Sequence, residues 1–226
     1  IGPRTRAVIV NTPQNPTGRI YPRSTLTALA EVLEAASARL GRTIWLISDE
    51  PYNRLVFSDA EFHSPSEVYP NTLISYSYGK VLLTPGERIG WLAVSPLATG
   101  REDLRDAIQI AQIAGGWVFP NATLQRAVPE LEHLSIDMVD LEAKRDRVVA
   151  ALAAAGYQLR APEGTFYVWV KSPLDDDVEF CRRLAERKVL VLPGTTCEAP
   201  GCFRISLTGS NDMIDRALPV FAELAG

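Results

Sequence analysis

The chain has 226 residues, enough for one large or two small domains. Apolar residues make up 46% and charged residues 22%, proportions typical of a soluble globular protein. The net charge of −4 does not favour a nucleic-acid-binding surface, and no apolar run approaches the roughly 20 residues needed to span a bilayer. The three cysteines and two histidines lack metal-ligand spacing, and the N-terminus does not read as a signal peptide. We therefore expect no metal site and a cytoplasmic location.

The first half of the chain alternates short apolar runs with a helical pattern. The runs that predict strands are residues 7–10, 43–47, 72–76 and 88–94. Ser24 is predicted to cap a helix whose apolar residues recur at helical spacing as far as Leu40. A helix between strands indicates parallel pairing with right-handed crossovers, which is the mark of an α/β architecture.

Two helical stretches follow the fourth strand, and after them the pattern changes. Residues 101–114 are predicted to form a helix, and a longer helical region is predicted from Asn121 or Thr123 to about Ala155, kinked at Pro129. Strands are predicted after it at residues 157–160, 165–170, 189–192 and 202–207, interleaved with helices at 177–187 and 211–224. This order indicates an α+β layout, so we place the domain boundary near Pro120.

A lone lysine, Lys80, follows the third predicted strand, with Ser77 three residues before it and Arg88 eight residues after it. Lysine forms a Schiff base with an aldehyde once a cation or partial desolvation makes the amine nucleophilic. A serine hydroxyl and a guanidinium together make a phosphate clamp. Asn11 and Asp49 end two other predicted strands, at the edge where open α/β sheets bind ligands. The pattern therefore indicates pyridoxal 5′-phosphate (PLP), an aldehyde that carries a phosphate.

Four motifs give the chain a resemblance to a known family, the class I/II aminotransferases of PLP-dependent fold type I. The residues that match the lysine signature are Ser77, Gly79, Lys80, Gly86, Arg88 and Gly90. The other three motifs are Asn15-Pro16-Thr17-Gly18, Asp49-Glu50-Pro51-Tyr52 and Phe203-Arg204-Ile205-Ser206. They occur in the family's order along most of the chain, which makes the signal far more specific than a lone glycine pattern. Thr84 is a minor departure, since the family more often has an apolar residue there.

The resemblance implies the architecture of a PLP-dependent transferase. Residues 1–120 would be the remainder of a large PLP-binding domain, with a mostly parallel sheet and flanking helices. Residues 121–226 would be a small C-terminal α+β domain. Because family members are usually longer, we expect this chain to be the C-terminal part of such a protein. A sheet without its neighbouring strands exposes unpaired backbone, so we expect the fragment to be inactive alone.

The resemblance also implies a role for each residue around the cofactor ring. Lys80 would form the Schiff base and then move a proton between the substrate Cα and the cofactor. Asp49 would pair with the pyridine nitrogen and keep the ring protonated. Asn15 and Tyr52 would donate hydrogen bonds to the phenolic oxygen.

The remaining implied roles concern phosphate and substrate. Ser77 and Arg88 would bind the phosphate, and Arg204 would hold the substrate α-carboxylate in a bidentate fork. After Pro193-Gly194 the family often has an aromatic residue in a loop that lines the substrate entrance. This chain has Thr195-Thr196-Cys197-Glu198 there, so its side-chain specificity stays open.

The function implied by the resemblance is that of a PLP-dependent aminotransferase of amino-acid metabolism, acting on amino-acid and 2-oxo-acid substrates as a homodimer. Two alternatives stay open. One is another PLP reaction on an amino acid (elimination, cyclisation or oxidation), since fold does not fix the reaction. The other is the ligand-sensing aminotransferase-like domain of a transcription regulator, which a basic helix-turn-helix before Ile1 would reveal. On this chain itself we expect neither a nucleic-acid nor a membrane partner.

Overall fold

The computed structural model describes residues 1–117 and 119–225, and it divides into two compact units. Unit 1 consists of Ile1–Pro13, Ile20–Arg54 and Glu61–Ile136. Unit 2 consists of Gln14–Arg19, Leu55–Ala60 and the chain from Asp137 onwards. In the described ranges, no helix is both long and apolar enough to cross a membrane.

Unit 1 is built on a four-stranded sheet. In chain order and in sheet order its strands are β1 (Ala7–Asn11), β2 (Trp45–Asp49), β3 (Thr72–Ser77) and β4 (Gly90–Val94). The first three are parallel, as predicted, and their register pairs Asn11 with Asp49 and Asp49 with Ser75. β4 runs antiparallel to β3 because their connection holds only a one-turn helix and a 3-10 turn. Such a connection does not carry the chain back along the sheet, as a parallel crossover must.

Helix α1 (Arg23–Leu40) makes the crossover from β1 to β2. Its buried residues recur every three or four positions and are Leu26, Ala30, Leu33 and Ala36. Three of them form a core with Ile44, Leu46 and Tyr69. The predicted serine cap is wrong, because the helix begins two residues earlier than a cap at Ser24 requires: its N-cap is Pro22, without a side-chain hydrogen bond. It ends at Gly41, whose left-handed φ of 63° suits glycine.

The other helices of unit 1 are α2 (Tyr78–Val81), α3 (Arg101–Ala114) and α4 (Ala122–Leu131). Helix α3 has its predicted bounds. The single long helix predicted up to Ala155 is wrong, because α4 ends at Leu131 and α5 (Met138–Ala154) follows separately. The break occurs because the Asp137 side chain accepts the N–H groups of Val139 and Asp140, at 3.0 and 3.1 Å, and so starts a new helix.

Residues 121–136, which follow the predicted boundary, bond to other parts of unit 1. The Tyr78 hydroxyl donates to Glu132 at 2.6 Å, and the Ile136 N–H donates to the Val81 carbonyl at 3.0 Å. The compact units therefore divide after Ile136 rather than near Pro120. The division into domains at residues 120 and 121 stays a prediction.

Unit 2 contains a three-stranded antiparallel sheet in the order β5 (Tyr167–Lys171), β7 (Cys202–Ser206) and β6 (Leu192–Pro193). Its helices are α5, α6 (Asp177–Glu186) and α7 (Asn211–Glu223). Aromatic rings fill the core, with centroids 5.1 to 6.2 Å apart among Tyr157, Phe180, Phe203 and Phe221. The strand predicted at residues 157–160 is wrong, since only an isolated bridge joins Leu159 to Val170. Of the strand predicted at residues 189–192, only Leu192 lies in a strand, the two-residue β6.

Gly90 lies where the backbones of β3 and β4 approach each other closely. A Cβ at this position would lie 2.3 Å from the Tyr76 carbonyl oxygen, and backbone cannot yield as a flexible side chain can. We expect Gly90→Ala to destabilise the complete protein by about 1–3 kcal/mol in urea unfolding. Gly86→Ala is the matched control, because no described atom lies within 4 Å of its Cβ. Equal destabilisation by the two changes would contradict this account.

Candidate active site

The predicted site residues fall into two groups, one in each compact unit. The residues in unit 1 are Asp49, Tyr52, Ser77, Lys80 and Arg88. The residues in unit 2 are Asn15 and Arg204.

Asp49 is the last residue of β2, and its carboxylate is half-buried. The Nδ2 atom of Asn11 donates to Asp49 Oδ2 at 3.0 Å and to the Asp49 carbonyl at 2.9 Å. Burial raises the pKa of Asp49 above its ordinary value, while a hydrogen bond from Ser75, the charge of Lys80 and the bond from Asn11 oppose the rise. An additional positively charged N–H donor would stabilise the ionised form of a carboxyl group that burial disfavours in this way.

Lys80 lies in helix α2, directly after β3. Ser77, the residue before the helix, is its N-cap, because its hydroxyl accepts the Gly79 N–H at 3.3 Å. Lys80 Nζ lies 5.8 Å from the centroid of the Tyr52 ring, a cation–π arrangement with a buried aromatic residue. The ends of β2 and β3 thus bring Lys80 close to Tyr52, and the Lys80 charge acts on Asp49.

The two predicted phosphate ligands have separate local contacts. Arg88 is exposed, and its Nη1 donates to the Pro85 carbonyl at 2.8 Å. The Ser77 hydroxyl is bonded to the backbone of α2. Each side chain therefore bonds to its own segment, and the phosphate role of the pair stays a prediction.

In unit 2, Arg204 and Asn15 are joined although they lie far apart in sequence. Arg204 Nη1 donates to Asn15 Oδ1 at 2.7 Å, and the guanidinium carbon lies 4.0 Å from the centroid of the Tyr167 ring. The turn that carries Asn15 is held by Gly18, which has a φ of 68° and a Cβ position only 2.3 Å from Pro162 Cβ. Only glycine fits this close approach with that backbone conformation.

The sequence placed Asn11 at the same sheet edge as Asp49, but it did not predict three direct contacts of the site. The Asp49 partners Asn11 and Ser75 lie beside it in the strand register, and Ser75 precedes Ser77 by two residues, the period of a strand face. Tyr167 lies on β5, two residues before Trp169, the direct partner of Arg204. The strand period together with a correct register would have found all three, but the sequence alone does not give the register.

Comparison with known proteins places this geometry in a family. The sequence profile described as aminotransferase class I and II matches residues 2–221. The aspartate/prephenate aminotransferase of Thermus thermophilus is 33% identical over 100% of this chain and 58% of its own length. The aspartate aminotransferase of Thermotoga maritima is 32% identical over 95% of this chain and 55% of its own.

Solved structures agree with the sequence relatives. An aminotransferase from Eubacterium rectale matches with a TM-score of 0.92 at 34% identity, over 99% of this chain and 56% of that one. This chain thus spans a little more than half the length of the relatives it matches. The predicted α/β fold class is confirmed by these matches. The chain belongs to the class I and II aminotransferases of PLP-dependent fold type I.

Proposed function

We propose that the complete protein containing this chain is a PLP-dependent aminotransferase that moves an amino group from an amino acid to a 2-oxo acid. The observation that carries the proposal is the cluster at the carboxyl edge of the parallel strands. There Lys80 Nζ lies 5.8 Å from the Tyr52 ring centroid and its charge acts on Asp49. Ligands of open α/β sheets bind beyond this edge. The names of the relatives support the same reaction class.

The residues of unit 1 fit the cofactor chemically. Asp49 is a desolvated acceptor for a protonated ring nitrogen, and Ser77 and Arg88 have the groups that bind a phosphate. Arg88 adopts a left-handed φ of 41°, which is uncommon for a residue other than glycine and concentrates at functional positions. When bound, PLP withdraws electrons from the substrate Cα.

Four side chains of the protein then share three tasks. Lys80, a primary amine at the sheet edge, removes and returns the proton at the substrate Cα. Arg204 orients the substrate through its carboxylate, because contacts with the Tyr167 ring and Asn15 Oδ1 fix the position of the guanidinium. Tyr52 and Asn15 would bond the phenolic oxygen of the cofactor. The homodimer and the cytoplasmic location stay predictions of the family resemblance.

Lys80→Ala tests the proposed function in the complete protein. We expect turnover to fall by roughly 10²–10⁴-fold, because the proton at the substrate Cα loses its base. Lys171→Ala, at the exposed end of β5, is the matched control and should retain activity. The assay screens amino donors and measures both the 2-oxo acid formed and the acceptor consumed, which separates transamination from other PLP reactions. Undiminished conversion by Lys80→Ala would overturn the proposal.

Asp49→Asn tests the raised pKa of Asp49. Without cofactor, we expect the variant to be more stable than the wild type at pH 7, because it has no half-buried carboxyl to ionise. The folded pKa of Asp49 lies above the unfolded one, so the wild type gains stability as the pH falls through the folded value. The advantage of asparagine therefore shrinks towards the unfolded pKa of about 3.9. Thermal unfolding across this pH range measures it, and an advantage that grows on acidification would contradict the assignment.

A further inference from the structure

Asp177 has none of the roles above, yet this acidic residue is only 2% exposed. It begins helix α6 in unit 2. Asp177 Oδ2 accepts the Thr195 N–H at 2.8 Å, and Oδ1 accepts the Thr195 hydroxyl at 2.7 Å and the Gly201 N–H at 3.3 Å. Burial opposes the ionisation of this carboxyl, but these bonds hold its pKa below the ordinary value. Asp177 is therefore a buried anion whose partners beyond its own backbone are Thr195 and Gly201, both in one loop.

That loop comprises residues 194–201 and joins β6 to β7. Asp177 holds its second residue and its last residue, so one side chain ties both of its ends. The loop is also closely packed inside. A Cβ at Gly194 would lie 2.3 Å from the Ala199 carbonyl oxygen, and the Ala199 N–H donates to the Gly194 carbonyl at 3.0 Å. Because the loop is so closely packed, moving its ends would move the whole loop.

The 194–201 loop leads directly to Arg204, the third residue of β7. On one side Arg204 pairs with Trp169 of β5, and on the other with Leu192 of β6. Because β6 has only two residues, its pairing constrains the position of β7 only at Phe203 and Arg204. The bonds from Asp177 to the loop supply a second constraint on that side of the strand.

We propose that Asp177 is a positioning residue for substrate binding: by holding Thr195 and Gly201 it fixes the 194–201 loop, and through the loop it fixes the Arg204 guanidinium. The inference rests on the proposed function, since it takes Arg204 as the ligand of the substrate carboxylate. Asp177 acts through Arg204 and not on the reacting atoms. Its loss therefore affects substrate affinity more than the limiting rate.

The test compares Asp177→Asn with Asp176→Asn in the complete protein loaded with PLP. Both changes remove one carboxylate at the start of α6, but Asp176 bonds to the helix itself, accepting the Glu179 N–H at 3.0 Å. In Asp177→Asn, an amide NH₂ replaces an acceptor, so a donor faces a donor of the loop. The probe is the amino donor that the wild type accepts best in the screen, beginning with L-aspartate, L-tyrosine and L-alanine, and the donor half-reaction is measured.

We expect Asp177→Asn to raise the half-saturating donor concentration about tenfold, because bonds to a buried charge are lost, with the limiting rate within about twofold. Amide hydrogen exchange at Thr195 and Gly201 should accelerate in the same variant. Asp176→Asn should change neither quantity. Thr195→Val, a milder change that loses only the hydroxyl bond, should raise half-saturation by less, and Thr195→Ser should restore the wild-type value.

The outcomes separate the two proposals. Equal shifts in Asp176→Asn and Asp177→Asn, or faster loop exchange with unchanged half-saturation, would overturn the positioning role of Asp177 alone. A fall in the limiting rate without a change in half-saturation would also overturn it. A wild type that transfers no amino group from any donor of the screen described above would overturn the proposed function and this inference with it.

Discussion

The candidate site depends on the parallel register of β1, β2 and β3. That register sets Asn11, Asp49 and Ser75 side by side at one edge of the sheet, so that Asp49 receives donors from both neighbouring strands. A slip of one residue would turn Asp49 towards the opposite face. Lys80 follows β3 after the N-cap at Ser77, so the same register sets where its amine lies.

Several residues of the site in unit 1 have burial or backbone geometry that is unusual for their residue type. Asp49 is desolvated enough to raise its pKa, Arg88 has a left-handed backbone, and Gly90 allows an approach that a Cβ would block. The first two features lower stability and are typical of sites whose geometry serves binding. In unit 2, by contrast, the charged group is stabilised, because the Arg204 guanidinium contacts the Tyr167 ring and donates to the Asn15 amide oxygen.

The sequence predicted much of the fold because local signals and tertiary structure agree over most elements. Helix α3 and the three parallel strands follow from apolar spacing, and family motifs supplied the site residues. The sequence did not predict the break between α4 and α5, where the cap at Asp137 outweighs a continuous helical pattern. It also missed the antiparallel direction of β4 and the contact of Arg204 with Tyr167, because both depend on pairing between distant segments.

The most direct test of the central claim is to find which amine binds the cofactor. Borohydride reduction of the complete protein with PLP links the cofactor permanently to that amine, and peptide mass spectrometry locates it. We predict the pyridoxyl group on the peptide that contains Lys80. A label on a different lysine, or an active protein that carries none, would contradict the account.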